Sequence, residues 1–305
     1  MSAFSLKQLL IGLAILAVLG VGAAFISTRN KTVQQVPPLV VKPPAAPSPK
    51  IEQPERSVIG TSVQGRAIET YTYGNGTTHL LFVGGMHGGY EWNSVVLAYQ
   101  FIDELRKNPT IIPANLMVTV IPSLNPDGVY EVVGKEGRFT VADVPVKPRV
   151  LGTGRLNAHQ VDLNRNFDCN WKPTSMWQGK TVAAGTKAFS EPEATALRDF
   201  VLKERPDAVV FWHSQSGSVY ASQCEKGILP ETLTIMNAYA HAAGYTPIKS
   251  FDAYPITGDS EGWLASIHIP ALTVELKTHE TVEWERNLAG INALFKFYKE
   301  KTKML

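Results

Sequence analysis

The stretch His79-Leu80-Leu81-Phe82-Val83-Gly84-Gly85-Met86-His87-Gly88-Gly89-Tyr90-Glu91 reads as the end of a buried strand followed at once by polar chemistry. Its apolar run is short and rich in β-formers, and paired glycines close it. In open α/β sheets, ligands bind outside the carboxyl ends of strands. Imidazole and carboxylate at such an end suit Zn²⁺, which accepts nitrogen and oxygen donors. Taken alone, the segment is equally a polar turn with a solvated Glu91.

Working outward, Val209-Val210-Phe211-Trp212-His213-Ser214 repeats the pattern: an apolar strand delivers a histidine at its end. His87, Glu91 and His213 together offer three protein ligands, leaving a fourth position for water. That is the pattern of a catalytic rather than a structural zinc site. A third apolar run, Ala271-Leu272-Thr273-Val274-Glu275-Leu276-Lys277, carries one carboxylate. On an edge strand Glu275 would face solvent; on a central strand it is a poised carboxylate in a low-dielectric site. Between these runs lies Arg155-Leu156-Asn157-Ala158-His159-Gln160-Val161-Asp162-Leu163-Asn164-Arg165-Asn166-Phe167, a concentration of donors. Its guanidinium forks could bind a carboxylate in bidentate fashion, or form a buried salt-bridge network anchored by Asp162.

The surrounding pattern alternates. Strands are expected at Ala67–Tyr73, Leu80–Val83, Leu116–Ile121, Ala208–Trp212 and Ala271–Leu276. Helices are expected at Asn93–Lys107, Glu191–Lys203, Glu231–Ala243 and Val282–Lys299. Ser190 with Pro192 and Glu193 reads as a capped helix start. Interleaving of this kind predicts an α/β fold with helices on both faces of a largely buried sheet. The 305 residues, 44% of them apolar, suffice for one large domain with appendages. A net charge of +2 with 18% charged residues gives no electrostatic case for nucleic acid.

The amino-terminal part reads differently. Leu9 to Ile26 is uncharged and nearly all apolar, long enough for one membrane-spanning helix. The expected division is 1–7 a short flank, 8–27 a transmembrane anchor or uncleaved signal, 28–55 a proline-rich linker and 56–305 the catalytic domain. Lys7 precedes the span and Arg29 and Lys31 follow it, so flanking charge leaves the orientation open. Cys169 and Cys224, the only cysteines, are either one disulfide of an extracytoplasmic domain or two buried thiols.

The ordered set His87, Glu91, Val161-Asp162-Leu163-Asn164-Arg165-Asn166-Phe167, His213 and Thr273-Val274-Glu275-Leu276 resembles the M14 (carboxypeptidase A-like) zinc metallocarboxypeptidases. The likeness extends from about Val58 to Tyr298 and includes the entry segment Ile59-Gly60-Thr61-Ser62-Val63-Gln64-Gly65-Arg66. It implies a three-layer α/β/α fold with a mixed, mostly parallel eight-stranded sheet, and one Zn²⁺ per chain at the sheet's carboxyl edge. Carried over, His87, Glu91 and His213 hold the metal, and Asn164 and Arg165 bind a terminal carboxylate. Arg155 polarises the scissile carbonyl, Glu275 is general base and acid, and Tyr254 caps the substrate. Glu261 falls at a pocket position that selects the terminal side chain; an acidic group there favours Lys, Arg or diaminopimelate, unless it is a solvated surface glutamate.

One departure stands out: the family spacing is His-x-x-Glu, and here one more residue separates His87 from Glu91. The resemblance implies a peptidase acting on peptides with a free C-terminal carboxylate, peptidoglycan stem peptides among them; the apolar span adds a membrane anchor, and such substrates, the linker and the possible bridge suit an extracytoplasmic catalytic domain. An N-acyl amino acid deacylase of related fold, and a peptide-binding module without catalysis, are the other readings.

Overall fold

The computed structural model describes residues 54–146 and 151–301. The expected membrane span and nearly all of the proline-rich linker lie outside the described residues. Among the described residues no helix is long and apolar enough to cross a membrane.

In chain order the strands are β1 (Glu55–Thr61), β2 (Ala67–Tyr73), β3 (Thr78–Val83), β4 (Leu116–Ile121), β5 (Thr174–Trp177), β6 (Lys180–Ala183), β7 (Ala208–Ser214), β8 (Ser218–Ala221), β9 (Thr246–Ile248) and β10 (Ala271–Leu276). The helices are α1 (Trp92–Lys107), α2 (Pro126–Val133), α3 (Pro192–Glu204), α4 (Pro230–Ala243), α5 (Ser260–Ser266) and α6 (Trp284–Lys301). Eight strands form one mixed sheet in the order β1-β2-β4-β3-β7-β10-β8-β9, and β5 and β6 form a separate hairpin. The central strands β4, β3, β7 and β10 run parallel to one another; β1, β2 and β8 pair antiparallel to their inward neighbours.

The period of two in the strands builds the layers. Leu80, Phe82, Val210, Trp212, Leu272 and Val274 pack in one core with residues of α1, α4 and α6. Leu81, Val83, Val209, Phe211 and Ala271 fill the opposite core with α3 and α5. The same alternation decides where the polar ends go. His213 follows Phe211 onto the α3/α5 side and Glu275 follows Thr273 there, while Ser214 follows Trp212 toward α1.

The expected strands and helices are all present, three of the strands with their expected bounds. The elements not anticipated are short or weakly patterned. β1 is mostly exposed, so it has no apolar alternation to read. β8 and β9 are four and three residues long. The segment Asn125-Pro126-Asp127-Gly128 has the composition of a turn, yet it starts α2: the Asn125 side chain accepts from Gly128 N, with Pro126 in the first turn. Turns and helix caps use the same residues for the same reason. The Ser190 expectation needs correction. α3 starts at Pro192 after Glu191, without a side-chain cap, and Ser190 Oγ instead donates to Glu191 Oε1.

Candidate metal centre and active site

Strands β3, β7 and β10 are adjacent and parallel, so their carboxyl ends open on one edge, and the candidate residues gather there. Beyond β3, Gly84 and Gly85 turn the chain and a 3₁₀ turn over Gly88–Glu91 leads into α1. His213 ends the apolar part of β7, and Glu275 lies beside it in register on β10. β10 lies between β7 and β8, so Glu275 stands on an interior strand and not on a sheet edge.

His87 Nδ1 is 2.8 Å from Glu91 Oε1, and His213 Nδ1 is 3.0 Å from Glu91 Oε2. The two Nδ1 atoms are 3.1 Å apart. All three residues are buried, and they form a group that could hold a metal ion. Tetrahedral ligands about 2.0–2.1 Å from one zinc lie about 3.3 Å from each other, close to this triangle. Two imidazole lone pairs facing each other at such a distance repel unless a proton or cation lies between them, so the donor set fits Zn²⁺. The far nitrogens complete the pattern. His87 Nε2 lies 3.4 Å from Asp162 Oδ1 and His213 Nε2 lies 3.5 Å from Glu261 Oε1. A carboxylate behind a ligating imidazole orients the ring and leaves the other nitrogen free for the metal.

The electrostatics follow the same geometry. Burial alone would raise the Glu91 pKa, but the His87 and His213 rings outweigh it and hold this carboxyl below its usual range. Burial likewise opposes charge on His213, yet Glu91 and Glu261 push it up to about 10. For Glu275, burial acts first and the Glu91 charge adds to it, raising the carboxyl to about 8 against the pull of His213 and Arg155.

The longer His87–Glu91 spacing is accommodated by a junction of glycines. Gly88 adopts φ +46°, and a Cβ there would sit 2.6 Å from the Gly154 carbonyl oxygen and 2.8 Å from Gly128 Cα. A Cβ on Gly128 would come within 2.3 Å of that same oxygen. These backbones touch because none of them carries a side chain. Gly128→Ala should therefore displace the Gly88–Glu91 turn and weaken zinc binding by at least about tenfold. Titration with a competing chelator measures this; unchanged zinc affinity would show that the junction does not position Glu91.

The donor segment resolves into two functions. Arg155 Nε and Nη2 both donate to Asp162 Oδ2, at 3.0 and 2.8 Å, while Nη1 lies 3.7 Å from Glu91 Oε1. The salt bridge anchored by Asp162 is thus real, and it also supports His87. Asp162 also caps a 3₁₀ turn through Asn164 N. Within that turn, Arg165 donates to the Asn164 carbonyl and to the Met176 carbonyl, and Asn164 Oδ1 accepts from Ser260 N and Oγ. Glu261 is buried, not solvated, and accepts from Thr273 Oγ1, while its Oε2 lies 3.0 Å from Ser260 Oγ, whose one hydrogen is shared between it and Asn164 Oδ1. In the metal-free chain the neighbouring His213 overrides the effect of burial on Glu261, bringing it down to about 2. Asp259, which caps α5, is raised to about 6 by burial and by Glu261. Tyr254 is half-buried, its ring 4.8 Å from Phe251.

His87, Glu91, Arg155, Asn164, Arg165, His213, Tyr254, Glu261 and Glu275 all line one cleft of about 650 Å³. Cys169 and Cys224 form a disulfide in its wall, which settles the choice between bridge and thiols. Closing a loop of this length contributes about 4 kcal/mol in the chain-entropy view. Sequence reading passed over the contacts of Asp162 and Glu261 with the histidines, and the cleft-lining Tyr90 and Trp177. Only the tertiary fold brings these together.

Fold and site bring together two histidines and a glutamate that could hold one metal ion at the end of a parallel sheet. The chain belongs to the zinc carboxypeptidase family, peptidase family M14, whose model matches residues 51–297. It is 24% identical over 242 residues to gamma-D-glutamyl-L-diamino acid endopeptidase 1 of Lysinibacillus sphaericus, covering 72% of this chain and 59% of that protein. It is 26% identical over 231 residues to human carboxypeptidase B, covering 68% of this chain and 54% of that one. The chain thus spans less than two thirds of these relatives. Among solved structures, murein-tripeptide amidase MpaA from Escherichia coli O157 shares the fold with a TM-score of 0.59 at 23% identity, over 83% of this chain and 96% of that one. Thrombin activatable fibrinolysis inhibitor does so with a TM-score of 0.66 at 18% identity, over 81% and 70%.

Proposed function

We propose that the protein hydrolyses the amide bond preceding a C-terminal residue that carries a free carboxylate and a basic side chain. The observation that carries this reading is the shared cleft. Arg165, Asn164 and Glu261 line it together with the His87–Glu91–His213 group, Glu275 lies in register beside His213, and Arg155 Nη1 is 3.7 Å from Glu91 Oε1. Zinc held by His87, Glu91 and His213 would polarise the scissile carbonyl and acidify a bound water toward neutral pH. Glu275 then takes the proton of the attacking water and passes it to the leaving nitrogen, which needs a carboxylate with an elevated pKa. Arg155 faces the cleft with Nη1 and offsets negative charge on the carbonyl oxygen, held rigid by Asp162. Arg165 and Asn164 clamp the terminal carboxylate, and Tyr254 closes over it.

Buried carboxylates at Glu261 and Asp259 favour an ammonium or guanidinium in the pocket. A diamino acid at the end of a peptidoglycan stem peptide meets that requirement, and the names of the L. sphaericus and E. coli proteins agree with it. The disulfide suits an oxidising compartment. With the apolar segment 8–27, it supports a membrane-tethered domain facing outward, which protease accessibility on intact cells tests.

The discriminating experiment compares a lysine-terminated peptide with its C-terminal amide. Amidation should lower kcat/KM by about 10–100-fold, because the charge-assisted bonds to Arg165 are lost. Equal rates would remove the terminal-carboxylate assignment and favour an endopeptidase.

A further inference from the structure

Cys169 and Cys224 take no part in the metal group or the carboxylate clamp, yet both line the cleft. Their bridge joins two places that hold the same loop. Between Ile248, the end of β9, and Ser260, the start of α5, the described chain forms no helix or strand, and this stretch carries Tyr254. Its far end is tied to the segment that follows Arg165. Phe167 N donates to the Gly258 carbonyl at 2.8 Å, and Gly258 N donates to the Cys169 carbonyl at 2.7 Å. Its near end is tied to the residue before Cys224, where Gln223 Nε2 donates to Ser250 Oγ. Between these ties the Tyr254 ring leans on Phe251 at 4.8 Å, and Phe251 lies 5.7 Å from Tyr220 of β8. The bridge, with its Cα atoms 6.1 Å apart, fixes the separation of the two anchors.

The rest of the loop is lightly held. Asp252, Ala253 and Pro255 are exposed, and Thr257 Oγ1 donates to Ser175 Oγ at 3.2 Å. A segment with so few buried contacts opens locally at little cost, so the span between its anchors decides where Tyr254 stands. The bridge can also be reached from the cleft. Cys224 is half-buried and lies between exposed Gln223 and exposed Glu225, all three in the cleft lining. A small dithiol can react there by exchange. One of its thiolates attacks Cys224 Sγ, and Cys169 leaves as a thiolate that takes a proton. The second thiol of the reagent then displaces Cys224 and closes the reagent's own disulfide. The protein gains two electrons and two protons, and the dithiol loses them.

We propose, resting on the peptidase reading, that Cys169–Cys224 is a redox-sensitive site: the bridge holds the Tyr254 loop over the terminal carboxylate, and reduction by a dithiol releases the loop and weakens substrate binding. Full activity is thereby tied to an oxidising compartment. The test compares the zinc-loaded full-length chain before and after dithiothreitol, with zinc in excess, on a lysine-terminated peptide. Reduction should raise KM about tenfold, the loss of one hydrogen bond to a charged group. It should leave kcat within about threefold, because a capping contact serves ground and transition states alike. Reoxidation should restore KM. The double variant Cys169→Ser/Cys224→Ser should show the raised KM from the outset and not respond to dithiothreitol, which separates the bridge from any action of the reagent on zinc. If that variant does not fold, the reduced and reoxidised wild type carries the test. A bridge that only staples the fold lowers the thermal midpoint when reduced and leaves KM where it was. That result, a bridge that thiol titration shows intact after treatment, or an equal response of the double variant to dithiothreitol would overturn the proposal. If the oxidised protein cleaves no lysine-terminated peptide, the peptidase reading itself fails, an outcome seen before any reagent is added.

Discussion

Glu275→Gln is expected to lower kcat by about 10³–10⁴-fold while leaving zinc bound, since the amide cannot accept the water proton. The same substitution should stabilise the metal-free protein. Burial and the neighbouring Glu91 raise the Glu275 carboxyl to about 8. A carboxyl raised in the folded state loses stability as pH rises from its unfolded value near 4.5 through about 8. Above that window the folded metal-free chain carries an ionised, poorly solvated carboxylate, and glutamine relieves it. Thermal unfolding of chelator-treated protein at pH 8–9 should therefore show Glu275→Gln melting a few degrees above wild type, and at pH 4 no such difference. A lower midpoint at high pH, or retained turnover, would contradict the assignment of Glu275.

Asp162→Asn should act in the opposite direction. Burial disfavours the Asp162 charge, but Arg155, Arg165 and His87 outweigh it and hold the carboxyl well below its usual range. Stability from a depressed carboxyl is present above its unfolded value near 3.8 and is lost as pH falls below it, so at pH 7 the full effect is felt. Removing the charge leaves the buried Arg155 without its partner at 2.8 Å and His87 without its support. Breaking a buried pair of this kind costs about 3–5 kcal/mol, or about 10 °C in the unfolding midpoint. Activity should fall with it, because Arg155 loses its fixed direction. A midpoint within about 2 °C of wild type would show that Asp162 does not organise the site.

The two carboxylates illustrate what sequence alone conveys. Glu275 was legible because one charged residue interrupts an apolar strand, and period-two alternation then puts it on the same face as Thr273. His87 and His213 were legible because each follows an apolar run, and strand ends in a parallel sheet share one edge. What the sequence left open depended on neighbours distant in the chain. Glu261 reads equally as surface or pocket until α5 is packed under β7 and β10, with Thr273 and His213 around it. Tyr90 carries no pattern at all, since its partners are Trp177, the last residue of β5, and His279, which follows β10. α2 was hidden because its asparagine cap and proline start are also turn residues. The glycines at 128 and 154 explain how a spacer one residue longer still closes on the metal group, a matter of backbone contact that composition does not reveal.

The account stands on His87, Glu91 and His213 sharing one zinc ion despite the longer spacer. Anomalous diffraction from crystals of the protein, recorded at the zinc absorption edge, tests this most directly. One peak is predicted per chain, about 2.0–2.2 Å from His87 Nδ1, His213 Nδ1 and a Glu91 carboxylate oxygen. A stoichiometrically zinc-loaded protein whose peak lies elsewhere, or whose zinc is bound without Glu91, would contradict it.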